Sequence, residues 1–154
     1  MKQIAVIVVL PFLILTACKT LDNKKERKTI TAENDTMNAT RMAVEKFNAA
    51  FNRHDVDAVM DAMTEDCVFE NTSPTPDGTR IEGAAAVRAY WQKFFAANPD
   101  ALFETEEIFA TGDRCVVRWT YRKTKDGKPW HLRGVDIFKV KDGKVSEKLA
   151  YVKG

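Results

Sequence analysis

The chain has 154 residues, 45% of them hydrophobic, with 24 basic against 22 acidic side chains. That is one domain's worth of sequence, long enough to bury a core. The small excess of positive charge lies in the first 35 residues; Thr36 to Gly154 holds 18 basic and 18 acidic residues, which excludes the electrostatic footprint of a nucleic-acid binder.

Lys2 is followed by an almost wholly apolar run from Ile4 to Leu15. A positive start and a short apolar core are the layout of a secretory signal, and about a dozen residues fall short of the roughly 20 that span a bilayer. Leu15-Thr16-Ala17-Cys18 resembles the bacterial lipobox. The resemblance implies that residues 1–17 are removed and that Cys18 carries lipid as the mature N-terminus. The expectation is therefore an exported protein of the bacterial envelope. Lys19 stands where the enterobacterial inner-membrane retention signal has Asp, so the resemblance favours the outer membrane, facing the periplasm, in a Gram-negative cell. Residues 18–35 read as a flexible charged tether. The cluster Lys24-Lys25-Glu26-Arg27-Lys28 either stays solvated or lies against anionic headgroups.

The domain proper is expected over residues 36–154. A helical period runs from Thr40 to Asn52, with Met42, Phe47, Ala50 and Phe51 near one face. Arg53-His54-Asp55 breaks it, and Asp55 can cap a shorter helix through Met63 that carries Val56, Val59 and Met60. A strand is expected from Cys67 to Asn71. The loop from Thr72 to Thr79 follows from Pro74, Pro76 and Asp77-Gly78. A third helix spans Ala84 to Ala97, with Val87, Tyr90, Trp91 and Phe94 as its apolar side. The period then changes from 3.6 to 2. Strands are expected over Leu102 to Phe109, Arg114 to Lys123, Trp130 to Lys141 and Val145 to Val152. Asp126-Gly127 and Asp142-Gly143 join the later ones as hairpins. Three helices followed by a meander of long strands give an α+β domain, a curved antiparallel sheet with the helices on its concave face.

With Cys18 assigned to lipid, Cys67 and Cys115 remain. An exported compartment permits a bridge between them, but neither spacing nor number requires one, and two buried thiols are the alternative. No Cys/His cluster has metal-ligand spacing, and no cofactor motif is present, so neither metal nor cofactor is expected.

Four phrases carry a resemblance: Phe51-Asn52-Arg53-His54-Asp55, Asp66-Cys67-Val68-Phe69-Glu70-Asn71, Ile81-Glu82-Gly83 ahead of Trp91, and Gly134-Val135-Asp136-Ile137-Phe138 ahead of Asp142-Gly143-Lys144-Val145. In that order they resemble the nuclear transport factor 2-like superfamily, and within it the SnoaL-like proteins, over Thr40 to Gly154. The resemblance specifies a fold better than a chemistry, because this fold hosts isomerases, cyclases, hydrolases and inert binding modules. Ketosteroid isomerases place a base at the end of the first strand, where this chain has Asn71. Their oxyanion-binding Tyr is matched here by Phe47, and their second oxyanion ligand by Asp136. One of those three positions keeps its chemistry. In SnoaL-like cyclases the acid/base Asp again matches Asp136. The Arg and two Asp of limonene epoxide hydrolases find no counterpart; Ala150 occupies one of those places.

Asp136 is thus the candidate catalytic acid/base. It sits mid-strand, and if even positions face inward it shares a face with Trp130, Leu132 and Phe138. Burial there would raise its pKa, which suits proton transfer. Counting by two from Val152 through Ala150 puts Lys148 on the face that lines the cone in relatives, where an ion pair with Asp136 would favour its charged form; a register bulge would instead turn Lys148 to water. Phe51, Phe69, Trp91, Trp119 and Tyr121 are candidates for an aromatic wall around a small hydrophobic or aromatic ligand, plain core being the alternative; Glu70 and Asn71 alternate, and the isomerase match turns Asn71 inward as a ligand-binding candidate and leaves Glu70 outside. His54 and His131 complete no catalytic set. The outer sheet face, with Arg118, Arg122, Arg133, Val135 and Ile137, is a candidate interface; relatives commonly dimerise there, which implies a homodimer. Two functions remain open. One is a ligand-binding cone with cofactor-free isomerase- or cyclase-like activity; the other is a non-catalytic envelope module that assembles through its convex sheet.

Overall fold

From Ile14 to Asn52 the chain has no glycine or proline, and it forms a single helix, α1, over Ile14–Asn52. A computed structural model describes the backbone of residues 14–153 and side chains from residue 25. Positions 1–13, most of the expected export signal, lie outside the described residues, and at Cys18 only the backbone is described. Segment 18–35, expected as a flexible tether, is helical. Its Lys, Arg and Glu residues are good helix formers and nothing in it breaks a helix. Thr29 and Thr31 turn their hydroxyls back onto the carbonyls of Lys25 and Arg27 at 3.1 and 2.8 Å. The side chains from Lys25 to Thr36 are exposed.

Asp35–Gly154 forms a compact unit of its own. Within it α1 buries Thr40, Ala43, Val44, Phe47, Ala50 and Phe51, the i, i+3, i+4 stripe of a helix lying on a core. Met42, expected on that face, is 68% exposed; five residues from Phe47, it points away from the stripe. Asp55 caps α2 (Val56–Asp61), its carboxylate accepting from the Ala58 N–H at 3.0 Å. The helix is shorter than expected, because Met63 already opens β1 (Met63–Glu70). Between β1 and α3 (Ala84–Ala97) lies β2, Arg80–Glu82. This strand is absent from the sequence reading, since three residues are too few to show a period. It pairs antiparallel with β1, Phe69 opposite Ile81.

The remaining strands are β3 (Leu102–Thr111), β4 (Arg114–Lys125), β5 (Lys128–Lys141) and β6 (Lys144–Val152). They form one mixed sheet in the order β2-β1-β6-β5-β4-β3, curled but not closed, with β1 parallel to β6. The α+β class holds. Both expected two-residue hairpins form: Asp126-Gly127 and Asp142-Gly143 have positive φ at both positions, the backbone that matches strand twist. The free edge at β3 is partly covered by the end of α1. Asn52 donates to the Phe103 carbonyl at 2.8 Å and accepts the Phe103 N–H at 2.9 Å. Thr40 ties α1 to the Gly112 carbonyl at 2.7 Å. Cys67 and Cys115 are both buried free thiols.

Candidate functional site

Alternation along the sheet decides what faces the helices. On β4 the odd positions Cys115, Val117, Trp119 and Tyr121 are buried; on β5 Asp136, Phe138 and Val140 are. Strand β6 breaks this rule once. Val140 pairs with Val145 but Lys139 pairs with Glu147, so Ser146 is an extra residue. A bulge of this kind shifts the alternation by one. It lets Val145 and Lys148, three apart, both point inward, at 0% and 4% exposure. A bulge was the feature expected to send Lys148 into water; it lies on the hairpin side of Lys148 and has the opposite effect.

Asp136 stands opposite Val117 on one side and Ala150 on the other. Lys148 is therefore its diagonal neighbour on β6, and Trp119 its diagonal neighbour on β4. Diagonal pairs on a sheet are within reach of long side chains. Lys148 Nζ lies 2.7 Å from Asp136 Oδ2, with both side chains almost fully buried. The ammonium also stands over the rings of Phe69 and Phe138, 5.2 and 5.6 Å from their centroids. Burial pushes the Asp136 carboxyl above its ordinary value. Lys148 opposes that shift, as does the Trp119 indole N–H, which favours the charged form without completing a hydrogen bond.

Above the pair lies a cavity of about 110 Å³, lined mainly by aromatic rings. The structure brings every residue singled out from the sequence to it: Phe51, Phe69, Asn71, Trp91, Trp119, Tyr121, Asp136 and Lys148 all line this one space. The rings hold one another in edge contacts, Phe51 to Trp91 at 5.4 Å and Phe103 to Trp119 at 4.8 Å between centroids, arrangements that add to plain area burial. Phe47, in the place of the isomerases' Tyr, offers only its ring. Asn71, in the place of their base, is occupied otherwise: its Oδ1 accepts from the N–H groups of Ser73 and Thr79 at 3.0 and 2.8 Å. It closes the loop between β1 and β2. Burial raises the Tyr90 hydroxyl above its ordinary value, and the Asn71 amide opposes that shift. Glu70 points outward toward Arg80.

Tyr90, Phe94 and Phe103 also line the cavity. The first two sit four apart on α3, and that spacing was the available signal. Phe103 reaches the site through its pairing with Tyr121, which no local pattern discloses. His54 is structural: its Nε2 is 2.8 Å from the Ala101 carbonyl oxygen and its ring stacks on Phe95. On the outer face the arginines are already paired. Glu106 meets Arg118 and Arg133 at 3.1 and 2.8 Å, and Arg122 meets Glu104 at 2.7 Å. Among the described residues no three His, Cys, Asp or Glu side chains are grouped to hold a metal.

The family model for the SnoaL-like domain matches residues 44–148, from the buried stripe of α1 to the lysine of the ion pair. The chain belongs to the SnoaL-like family. Among solved structures this SnoaL-like domain is similar to an NTF2-like protein of unknown function from Mesorhizobium loti, at 37% identity and a TM-score of 0.66, covering 77% of this chain and 93% of that one. It is similar to a candidate polyketide cyclase from Sinorhizobium meliloti at 25% identity and a TM-score of 0.59, over 71% of this chain and 93% of the other. The fold also matches TerC, crystallised with polyporic acid, at 19% identity and a TM-score of 0.65, over 75% and 92% of the two chains. No curated protein sequence matches the SnoaL-like chain.

Proposed function

We propose that this SnoaL-like domain binds a small hydrophobic or aromatic molecule in its cone and that Asp136 acts on it as a cofactor-free acid/base, in chemistry of the isomerase or cyclase type. The observation that carries the reading is the Asp136–Lys148 pair, buried beneath an aromatic cavity where a satisfied apolar core would be the simpler construction. Burying two charges costs several kcal/mol per ion before their attraction offsets it, so the pair is poorly explained by stability alone. Burial and the lysine pull the carboxyl in opposite directions, which leaves it able to take a proton from an acidic C–H or O–H and return it. The family likeness to a candidate polyketide cyclase agrees with that class of reaction.

The location belongs to the same reading. The protein is exported, anchored through lipid on Cys18 in the bacterial envelope, and placed on the periplasmic side of the outer membrane in a Gram-negative host. A homodimer through the convex sheet face completes it. Tyr151 and Phe109, 47% and 54% exposed, are apolar residues on that face available to such a contact, and analytical ultracentrifugation of the soluble domain tests it.

The decisive experiment compares Asp136→Asn with the parent domain against a panel of monocyclic and polycyclic carbonyl compounds. Loss of turnover with binding retained supports acid/base action. Unchanged binding and turnover would remove the cone from consideration and turn attention to the outer sheet as a non-catalytic assembly surface. Because Asp136→Asn strands a buried lysine, the comparison is repeated in a Lys148→Met background.

A further inference from the structure

Asparagine is a poor residue for a helix interior, because its short amide competes for nearby backbone groups. The domain nevertheless places one at position 48 of α1, half-buried beside Phe47 and three residues before Phe51. Among the described residues two other asparagines are half-buried, and both are spent on the fold. Asn71 Oδ1 accepts the Ser73 and Thr79 N–H groups. Asn98 donates to the Phe94 carbonyl and accepts from Lys123, each at 2.8 Å. The Asn48 side chain has no hydrogen-bond partner among the described residues. It lines the cavity and keeps open surface there. In this it differs from the Trp91 and Trp119 indole N–H groups, which are sealed inside the packed wall.

Asn71, Thr72 and Tyr90 also line the cavity and are half-buried rather than sealed. Thr72 follows β1, and its hydroxyl likewise has no partner among the described residues. Tyr90 lies on α3, its ring 5.0 Å from that of Phe69. The open side of the cavity thus carries polar groups from α1, from the end of β1 and from α3. All four are neutral. Asp136 and Lys148 are the charged residues of the lining, and they are tied to each other at 2.7 Å. An amide both donates and accepts, as does a hydroxyl. Such a rim matches an uncharged group of the same kind and offers a carboxylate no free cation. At about 110 Å³ the space is near an apolar cavity of about 150 Å³ that takes one benzene ring.

Resting on the ligand-binding reading above, we infer that Asn48, together with Thr72, is the specificity-determining rim of the cone. It selects a single-ring ligand whose outward substituent is uncharged and both donates and accepts hydrogen bonds, a carboxamide being the simplest case. The ring lies against the aromatic wall and the substituent stays at the mouth. A ligand that covers these groups has to replace the hydrogen bonds they make to water. A site that pairs polar groups rejects analogues that lack them.

The test uses the Asp35–Gly154 unit and three probes of similar size: benzamide, benzoate and ethylbenzene. Dissociation constants come from ¹⁵N-edited NMR titrations, which also follow the Asn48 side-chain NH₂ pair, assigned by its absence in Asn48→Leu. Benzamide should bind more tightly than either of the others. Asn48→Leu and Thr72→Val should each weaken benzamide by about fivefold, one hydrogen bond's worth, and leave ethylbenzene unchanged. Neither substitution strands a partner, so the thermal midpoint of each variant should not fall. Equal losses for benzamide and ethylbenzene would make Asn48 a packing residue and overturn the inference. Benzamide binding that neither variant weakens overturns it too, and leaves the cone as a purely apolar site. Benzoate binding as tightly as benzamide overturns the neutral rim. No resonance moved by any probe overturns both this inference and the ligand-binding reading beneath it.

Discussion

Asp136 and Lys148 are separated by twelve positions in sequence and by 2.7 Å in space, and each makes the other tolerable. A lysine 4% exposed needs a counter-charge, and a carboxylate 2% exposed needs a donor. Removing one partner strands the other, so Asp136→Asn or Asp136→Leu should destabilise the domain by about 3–5 kcal/mol in urea unfolding. Replacing both, as Asp136→Leu with Lys148→Met, should recover most of that loss, because well-packed apolar side chains often substitute for a buried pair without penalty. A double variant no more stable than Asp136→Leu alone would show that the cost lies elsewhere, in packing against Trp119 or Phe138. If the double variant is as stable as the parent yet binds none of the parent's ligands, the pair exists for recognition and chemistry rather than for the fold.

The strands decide how well that pair is aimed. Gly134 lies opposite Trp119 in the β4–β5 ladder, and a Cβ added there would come within 2.2 Å of the Tyr151 carbonyl oxygen and 2.5 Å of the Trp119 ring. The glycine is what leaves room for the Trp119 ring beside β5. Gly134→Ala should cost about 1–3 kcal/mol by overpacking and alter the near-ultraviolet circular dichroism of the tryptophans; an unchanged spectrum with full stability would mean that the strands spread without moving Trp119. On the opposite face Glu106 joins three strands, accepting from Thr120 of β4 at 2.6 Å and pairing with Arg133 of β5. The hydrogen bond from Arg133, then that from Thr120, lowers its carboxyl to about 2. A depressed acid contributes stability above its unfolded value, which is lost as pH falls toward the folded one. Parent and Glu106→Gln should therefore differ most in thermal midpoint near neutral pH and converge between about pH 4.5 and 2. A difference that persists at pH 2 would mean that the charge is not its source.

These elements also mark where sequence reading stops. Period-2 alternation disclosed Trp119, Tyr121 and Asp136 as one surface, and the Asp-Gly turns set the two hairpins, because both signals are local. Lys148 was reached by counting from the far end of β6, on the side of the bulge where alternation holds. Ser146 itself carries no mark of a bulge, β2 is too short to show a period, and Met42 was misplaced because apolar residues do not all join a helix's buried stripe. The helical course of residues 18–35 was missed for a different reason: a polar segment without apolar period reads as a linker even when nothing in it resists a helix.

At the scale of the whole chain, charge is divided between its parts. The region from Thr36 onward has no net formal charge, and the positive cluster Lys24-Lys25-Glu26-Arg27-Lys28 precedes it. Among the described residues no helix is long and apolar enough to cross a membrane. The envelope location proposed above would rest on lipid at Cys18. Basic residues beside an anionic surface add on the order of 1 kcal/mol each, too little to hold a protein there at high salt, since screening shortens their reach. Expressed as the full chain in a bacterium fed an alkyne-tagged fatty acid, the protein should take up label, fractionate with membranes and resist a high-salt wash. Cys18→Ser should lose the label and retain residues 1–17 on its N-terminus, as read by intact mass. An unlabelled parent that washes off in salt would replace the lipid anchor with the basic cluster. An unlabelled parent found free of membranes in either salt would leave an exported or internal SnoaL-like domain whose ligand need not come from the envelope at all.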